Sequence, residues 1–549
     1  MKPLRIIPSM IERFEKAGLW ADTPTEVERL DAHAELRPLQ EALVDSRRRL
    51  TWAEVRQWTD RVALGLIGLG FARDSIVLAQ LPNLAETWLL RFALKKAGII
   101  GLTIPMRFGF RELEHLLKET GAAGLVLAPE YVDAAYWGNL KKIRRGLPLL
   151  THVLTVGRDG PQGTIPLPPM ALDPIENRYP ADTLKTRMFR LLEVDSLTST
   201  SGSTGLPKAV EYVALPYAMQ QAYIDQWKLT PDDVVGALIP LYGGASAVCG
   251  RVAPWLGCKV AMLEKYAAED ALRLIQQERV TVANGVPTQI VRMLNHPDFS
   301  RFDLSSLRYF VYSAAFCPPE VARKAEETMG CRVLSFYGAT EVACLTMTSP
   351  QDPPAMRYNS IGQARPGVQI RLVDAAGADV PAGTVGEITG RGACSPSGYF
   401  RDPAATRTAW GGELDGWFRT GDLGWVDGQG YYYIAGRKKD MINRGGQNIV
   451  PVEIESLICS HPAVAQAAVV PMPDPELGER VCAYVLLRPA CRLELAEIVS
   501  FLKKTGLAVY KLPERLEIVS EFPEAGGQKI AKQELVRDIT RKLAQEAGL

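Results

Sequence analysis

Apolar residues recur at helical spacing between Thr51 and Leu69: Val55, Trp58, Val62, Leu66 and Leu69 share one face, and Thr51 with Glu54 has the form of a capping box. The pattern predicts a helix whose apolar stripe needs a sheet to cover. Ile76 to Leu81 is a short apolar run closed by Pro82-Asn83 and reads as a strand, and a further pair follows at Leu113 to Leu117 and Gly124 to Ala128. Strands alternating with helices predict a layered α/β architecture with largely parallel sheets. From Gly160 to Pro180 the chain is rich in Pro and Gly without periodicity, which predicts a surface loop ahead of a strand at Leu191 to Leu197.

The pattern changes near Gly436. A hairpin with strands at Trp425-Val426 and Tyr431 to Ile434, turning at Asp427-Gly428, runs into Gly436-Arg437-Lys438-Lys439-Asp440. Beyond it Pro451 stands where a first helical turn accepts proline, Ile454, Leu457 and Ile458 form an apolar face, and strands are expected at Ala465 to Pro471 and Val481 to Leu487. The expected organisation is a large N-terminal domain of mixed sheets over 1–438 and a small α/β domain over 439–549.

With 549 residues and a formal net charge of +1, the chain is expected to be a multidomain globular enzyme, and nucleic acid is an unsuitable partner. Arg5, Glu12 and Arg13 interrupt the apolar start, unlike a secretory signal, and no apolar run is long enough to span a bilayer. Nine cysteines without a Cys-x-x-Cys pair suggest neither zinc nor a redox dithiol and fit a reducing cytoplasm. The five histidines stand singly and read as structural.

Chemistry concentrates in a few segments. Thr198 to Lys208 packs hydroxyls, Gly202, Gly205 and a lysine into a loop immediately after a predicted strand. Glycines admit close backbone approach, hydroxyls donate hydrogen bonds, and an ammonium supplies charge, which is what a polyphosphate requires. A Walker loop is excluded, because Lys208 follows Pro207 and precedes Ala209. In Ser335-Phe336-Tyr337-Gly338-Ala339-Thr340-Glu341 a tyrosine beside a glycine can lie against a purine, Thr340 can donate to a phosphate, and Glu341 offers an oxygen to magnesium. Asp422, in Trp417-Phe418-Arg419-Thr420-Gly421-Asp422, suits a vicinal diol, and Arg437 suits ribose or phosphate oxygens.

In order and spacing these segments resemble the adenylate-forming superfamily of acyl-CoA synthetases, aryl acid ligases, peptide synthetase adenylation domains and beetle luciferases. The resemblance implies ATP and AMP contacts from Thr200, Ser201, Gly202, Ser203, Thr204, Gly205, Ala314, Tyr337, Gly338, Asp422 and Arg437, with Lys208, Thr340, Glu341 and Lys529 catalytic and Glu341 holding Mg2+. It also implies a hinge at Lys439, about which the small domain turns, and a pantetheine channel at Gly445 and Gly446. Lys529 lies in Pro523-Glu524-Ala525-Gly526-Gly527-Gln528-Lys529, where Gln528 replaces the family's usual glycine; Lys532, the competing lysine, reads as a solvated helix start.

Pro240-Leu241-Tyr242-Gly243-Gly244 aligns with a family segment whose histidine gates the acyl pocket, and here that position is Gly243. With Val213-Ala214 in place of the usual Thr-His, the pocket formed by Tyr242, Gly243, Gly244 and Ser313 is expected to be open and poor in hydrogen bonds. The expected reaction is adenylation of a cyclic, mostly apolar acid followed by transfer to coenzyme A. Alternatives are an aryl acid ligase that loads a carrier-protein thiol and an adenylate-binding protein without turnover.

Overall fold

The computed structural model describes residues 1–4, 8–20, 23–157, 160–200, 206–214, 218–411, 416–488, 490–525 and 529–546. Thr51 caps the helix Trp52–Gly68 through the capping box with Glu54, and the strand Ile76–Gln80 follows.

Two large sheets organise the N-terminal part. One runs in the order Gln363–Ala364, Ala343–Met347, Arg332–Ala339, Tyr309–Tyr312, Val282–Gly285, Val234–Ala237, Lys259–Met262, Glu41–Val44, Arg49–Thr51. The other runs Gly398–Tyr399, Ala209–Val213, Val194–Ser199, Ile100–Thr103, Ile76–Gln80, Gly124–Leu127, His152–Thr155, Ile165–Pro166. Strand period sends alternate residues to opposite faces. Val77 and Ala79 of one sheet join Val235, Ala237, Val311 and Leu334 of the other in a single inner core. Their neighbours Ile76 and Leu78 face one outer core, and Phe310, Tyr312 and Val333 face another.

The inner core also holds the helices Trp52–Gly68 and Ala85–Ala97, so the two sheets enclose a helical layer. Ala85–Ala97 is buried on nearly every side, including Glu86, Lys95 and Lys96. Each of these charges has a partner: Arg48 at 2.6 Å from Glu86, Asp195 at 2.6 Å from Lys95, and Asp31 with Asp60 around Lys96. A charge taken that far from water needs such pairing.

Four expectations need correction. The stretch 160–180 contains the helix Leu167–Leu172, which packs on Trp52–Gly68 through the fully buried Leu167. Proline at its first turn, where the N–H would be unused, explains why a proline-rich segment misled. The strand expected at 191–197 is Val194–Ser199, because Leu192 takes a positive φ of 65° and breaks the extended run. Parallel pairing dominates only the two large sheets: Val368–Val373, Gly386–Gly392, Phe418–Val426 and Tyr432–Arg437 form a wholly antiparallel sheet. Lys532 does begin the helix Lys532–Glu546 but is tied to Glu455 at 2.6 Å rather than simply solvated.

The last part of the chain forms a small α/β domain. Pro451 opens the helix Pro451–Cys459, and the long strands Val464–Asp474 and Gly478–Leu487 pair antiparallel, with Arg515–Val519 added in parallel. Its buried apolar clusters draw only on residues from Ile442 onward. No cluster of the large domain reaches past Ile434. The fold is thus a large N-terminal domain followed by a small C-terminal one.

Candidate active site

A cavity of about 1520 Å³ opens where the two domains face each other. It exceeds the roughly 300–1,000 Å³ of a pocket for one drug-sized ligand, so it has room for two.

The hydroxyl-rich loop is the connection between antiparallel strands Val194–Ser199 and Ala209–Val213, paired as far as Ser199 and Ala209. Its ends are tied together: Thr200 N–H donates to the Lys208 carbonyl at 2.9 Å, and Lys208 N–H donates to Thr200 Oγ1 at 3.1 Å. Ser201, Gly202, Ser203, Thr204 and Gly205 lie outside the described residues. The Lys208 ammonium sits 4.5 Å from the centre of the Tyr399 ring, and the Tyr399 hydroxyl donates to Glu341 Oε1 at 3.3 Å. Tyr399 thus bridges loop and carboxylate, and the sequence reading missed it. The available signal was Gly398-Tyr399-Phe400 just ahead of the Asp402-capped helix Pro403–Trp410, a strand-to-helix corner.

Burial holds the Glu341 carboxyl above its usual range, against a backbone hydrogen bond, the Tyr399 hydroxyl and the charges of Arg437 and Lys208. Among the described residues its carboxylate makes no ion pair, and Glu341 lines the cavity. One carboxylate with the Thr340 hydroxyl next to it is a hard-oxygen donor set that fits Mg2+ when substrate phosphates and water complete the shell. The cation's charge would return the carboxyl to its ionised form. Thr340 is anchored through its carbonyl, which accepts from Tyr212 at 2.6 Å.

Asp422 is the most engaged residue of the site. Its carboxylate accepts from the Tyr337 hydroxyl at 2.7 Å and from Arg437 Nε at 2.6 Å. Burial, then the adjacent Asp422 charge, drives the Tyr337 phenol well above its ordinary pKa, so it remains a donor. Burial acts against the Arg437 charge, but Asp422 outweighs it and raises the guanidinium pKa. Next to Tyr337, Gly338 has a reason of its own: a Cβ there would lie 1.8 Å from the Ala343 carbonyl, at a bulge between Arg332–Ala339 and Ala343–Met347.

At the other end the walls are bare. Gly243 and Gly244 have nothing within 4 Å of where a Cβ would stand. Tyr242 accepts at 3.2 Å from Arg107, and the buried Ser313 Oγ has no hydrogen-bond partner. Ala314, on the cavity wall, takes a left-handed φ of 74°.

The C-terminal residues divide. Lys438, Lys439 and Asp440 form one 3₁₀ turn on the cavity wall. Lys529 pairs with Ala525 in a two-residue hairpin whose Glu524 and Ile530 also line the cavity; the Lys529 side chain lies outside what is described. Gly445 and Gly446 are not on that wall. With φ of 57° and 84° they form the tight turn of the hairpin Ile442–Arg444 and Gln447–Ile449, which by itself requires both glycines.

The family model of AMP-binding enzymes matches residues 30–400, and that of the AMP-binding enzyme C-terminal domain matches 453–529. The chain belongs to the AMP-binding enzyme family. It is therefore an AMP-forming acid–thiol ligase, of a family that takes ATP and coenzyme A as substrates. Relatives run nearly end to end with it. A 2-hydroxy-7-methoxy-5-methyl-1-naphthoate–CoA ligase from Streptomyces carzinostaticus is 32% identical, with 95% of this chain and 94% of the relative covered. A medium-chain fatty-acid–CoA ligase from Escherichia coli is 30% identical, covering 97% and 93%. The crystal structure of the anthranilate CoA ligase AuaEII with anthranoyl-AMP superposes with a TM-score of 0.85 at 27% identity, covering 96% and 98%. No helix among the described residues is long and apolar enough to cross a membrane.

Proposed function

We propose that this AMP-binding enzyme activates a cyclic, mostly apolar carboxylic acid as its acyl adenylate and passes the acyl group to coenzyme A. The observation that carries this reading is the polarity of one cavity: Asp422, Tyr337, Arg437, Glu341 and Lys208 crowd one end, and Gly243 and Gly244 leave the other open. The relatives that act on naphthoate and anthranilate support a ring-bearing acid, since two adjacent glycines give width rather than only depth.

A carboxylate cannot itself acylate a thiol, because its leaving group would be oxide. One oxygen of the acid attacks the α-phosphorus of ATP in line, the bond to the β-phosphate oxygen breaks, and pyrophosphate departs. Lys208 and the loop from Thr200 to Gly205 balance the charge of the departing group, and Asp422 with Arg437 fixes the ribose end. Mg2+, held by Glu341 beside Thr340, would neutralise the phosphate oxygens. Lys529 lets the two anions, carboxylate and α-phosphate, approach each other. A thiol then attacks the acyl carbon and releases AMP. For that step residues 439–549 turn as a unit about Lys439 and bring Gly445 and Gly446 to the cavity in place of Lys529.

ATP–pyrophosphate exchange over a panel of acids tests the first half, and addition of coenzyme A or a phosphopantetheinylated carrier protein to the active mixture tests the second. Exchange with ring acids and thioester formation with coenzyme A is the expected result. Exchange with no acid at all would refute the reading, and thioester formation only on the carrier protein would reassign the acceptor.

A further inference from the structure

The cavity does not end at the two glycines. It runs on into the large domain to Lys95, Asp195, Gln220, Tyr223 and Arg251. This deep lobe is far from apolar, which the sequence gives no reason to expect.

Arg251 lies in the π-helical turn Val248–Cys249-Gly250-Arg251-Val252 that continues from Gly243 and Gly244. Its guanidinium stacks on the Tyr212 ring, 4.6 Å from the centroid. Among the described residues no carboxylate lies within ion-pair distance of it and no carbonyl takes a hydrogen bond from it. The nearby carboxylates are committed elsewhere: Glu26 binds Arg91 at 2.7 Å and Lys95 at 3.0 Å, and Asp195 binds Lys95 at 2.6 Å. Arg91, Lys95 and Arg251 thus stand against Glu26 and Asp195, three cations to two carboxylates; Glu26, Lys95 and Asp195 also line the cavity, but Arg251 is the cation of the three outside these ion pairs.

A second polar group points to the same lobe. Gln220, 7% exposed and on the helix Ala218–Trp227 that packs against the π-helical turn, has an Oε1 without a hydrogen-bond partner. Buried polar atoms are left unpaired only at a cost, and a guanidinium on the wall of this lobe without a carboxylate partner is short of an acceptor.

Resting on the adenylation reading above, we infer that Arg251 is a specificity-determining residue, and that the acid carries an oxygen-bearing group, a hydroxyl or a second carboxylate, at the end of its ring body away from the reacting carboxyl. The guanidinium donates to that oxygen while the Gly243–Gly244 opening takes the ring. The acid is then mostly apolar along its flanks and polar at its tip.

Matched ring acids that differ only opposite the reacting carboxyl, bearing hydrogen, hydroxyl or carboxylate, are compared by ATP–pyrophosphate exchange in the full-length enzyme and in Arg251→Met and Arg251→Lys. At least one oxygenated acid is expected to exceed the unsubstituted acid in kcat/KM by about 10-fold or more, the scale of a site built to hydrogen-bond its substrate. Arg251→Met should abolish that preference while leaving the unsubstituted acid within about 3-fold, and Arg251→Lys should restore part of it. Equal use of all three acids by the wild type, or an equal loss on all three in Arg251→Met while Arg251→Lys is active, overturns the inference and leaves the ligase reading standing. Absence of exchange with every acid overturns both.

Discussion

The two ends of the cavity are built on opposite principles. At the end proposed for the nucleotide the polar groups are locked to one another before any ligand arrives: Tyr337 and Arg437 on Asp422, Tyr399 on Glu341, Lys208 over Tyr399. At the end proposed for the acid the walls are glycine, Ser313 Oγ is unpartnered and Ala314 is strained. A nucleotide is the same in every turnover, so its site gains from preorganisation, because donors already in place need no rearrangement in the transition state. The end proposed for the acid has bare walls, and on the readings above its selectivity would come from the width they leave together with the Arg251 guanidinium.

The comparison breaks most severely at Lys529, which joins the prepared end only through the small domain. Lys529→Ala is expected to lower pyrophosphate exchange by about 100-fold or more while largely sparing thioester formation from supplied acyl adenylate, since its charge is needed only where two anions meet. Equal loss in both half-reactions would show that the tail hairpin Glu524–Ile530 serves both and that no division of labour exists.

Asp422→Ala strikes the lock itself. It leaves the Tyr337 hydroxyl without this acceptor, at a cost of about 1–3 kcal/mol for a largely enclosed donor, and it frees the exposed Arg437 guanidinium from its partner. KM for ATP should rise about 10- to 100-fold with a measurable fall in melting temperature, the acid KM moving little. If only the acid KM moved, the assignment of the two ends would be reversed.

Gly244→Leu tests the empty end. Gly244 has no positive φ, so its backbone accepts a side chain, and the space beyond it is open. A ring acid should lose about 10-fold in kcat/KM while the KM for ATP holds, and a slender straight-chain acid should lose less. Equal losses for both acids would mean that the opening is not where the ring lies.

The polar end of the cavity was readable from the chain as one cluster because it is made from contiguous segments. Tyr337, Gly338, Thr340 and Glu341 stand on one strand and its turn, and Asp422 with Arg437 closes one hairpin register. Helical and strand periods likewise gave the large sheets, since alternate residues face separate cores. What escaped was assembled across distance. Tyr399 reaches Glu341 only because Gly398–Tyr399 pairs at the edge of the sheet with Ala209–Val213. The charged lobe joins Glu26, Arg91, Lys95 and Asp195 through ion pairs that no local pattern encodes, and the helix Leu167–Leu172 hid behind prolines that a first turn tolerates.

The smallest expected effect lies at Ala314, on the cavity wall. A left-handed φ costs a residue with a Cβ about 1–2 kcal/mol, and glycine there would relieve it at the expense of about 0.4–1 kcal/mol of added freedom in the unfolded chain. Ala314→Gly should therefore stabilise the large domain slightly, by about 0.5 kcal/mol, read as a small upward shift in the chemical-denaturation midpoint. Activity separates two meanings of the strain. Unchanged exchange would make Ala314 a tolerated local cost, whereas a stabilised enzyme with slower exchange would show that the Cβ holds Ser313 and the cavity wall in register for the acid, so that one strained residue preorganises an otherwise open end.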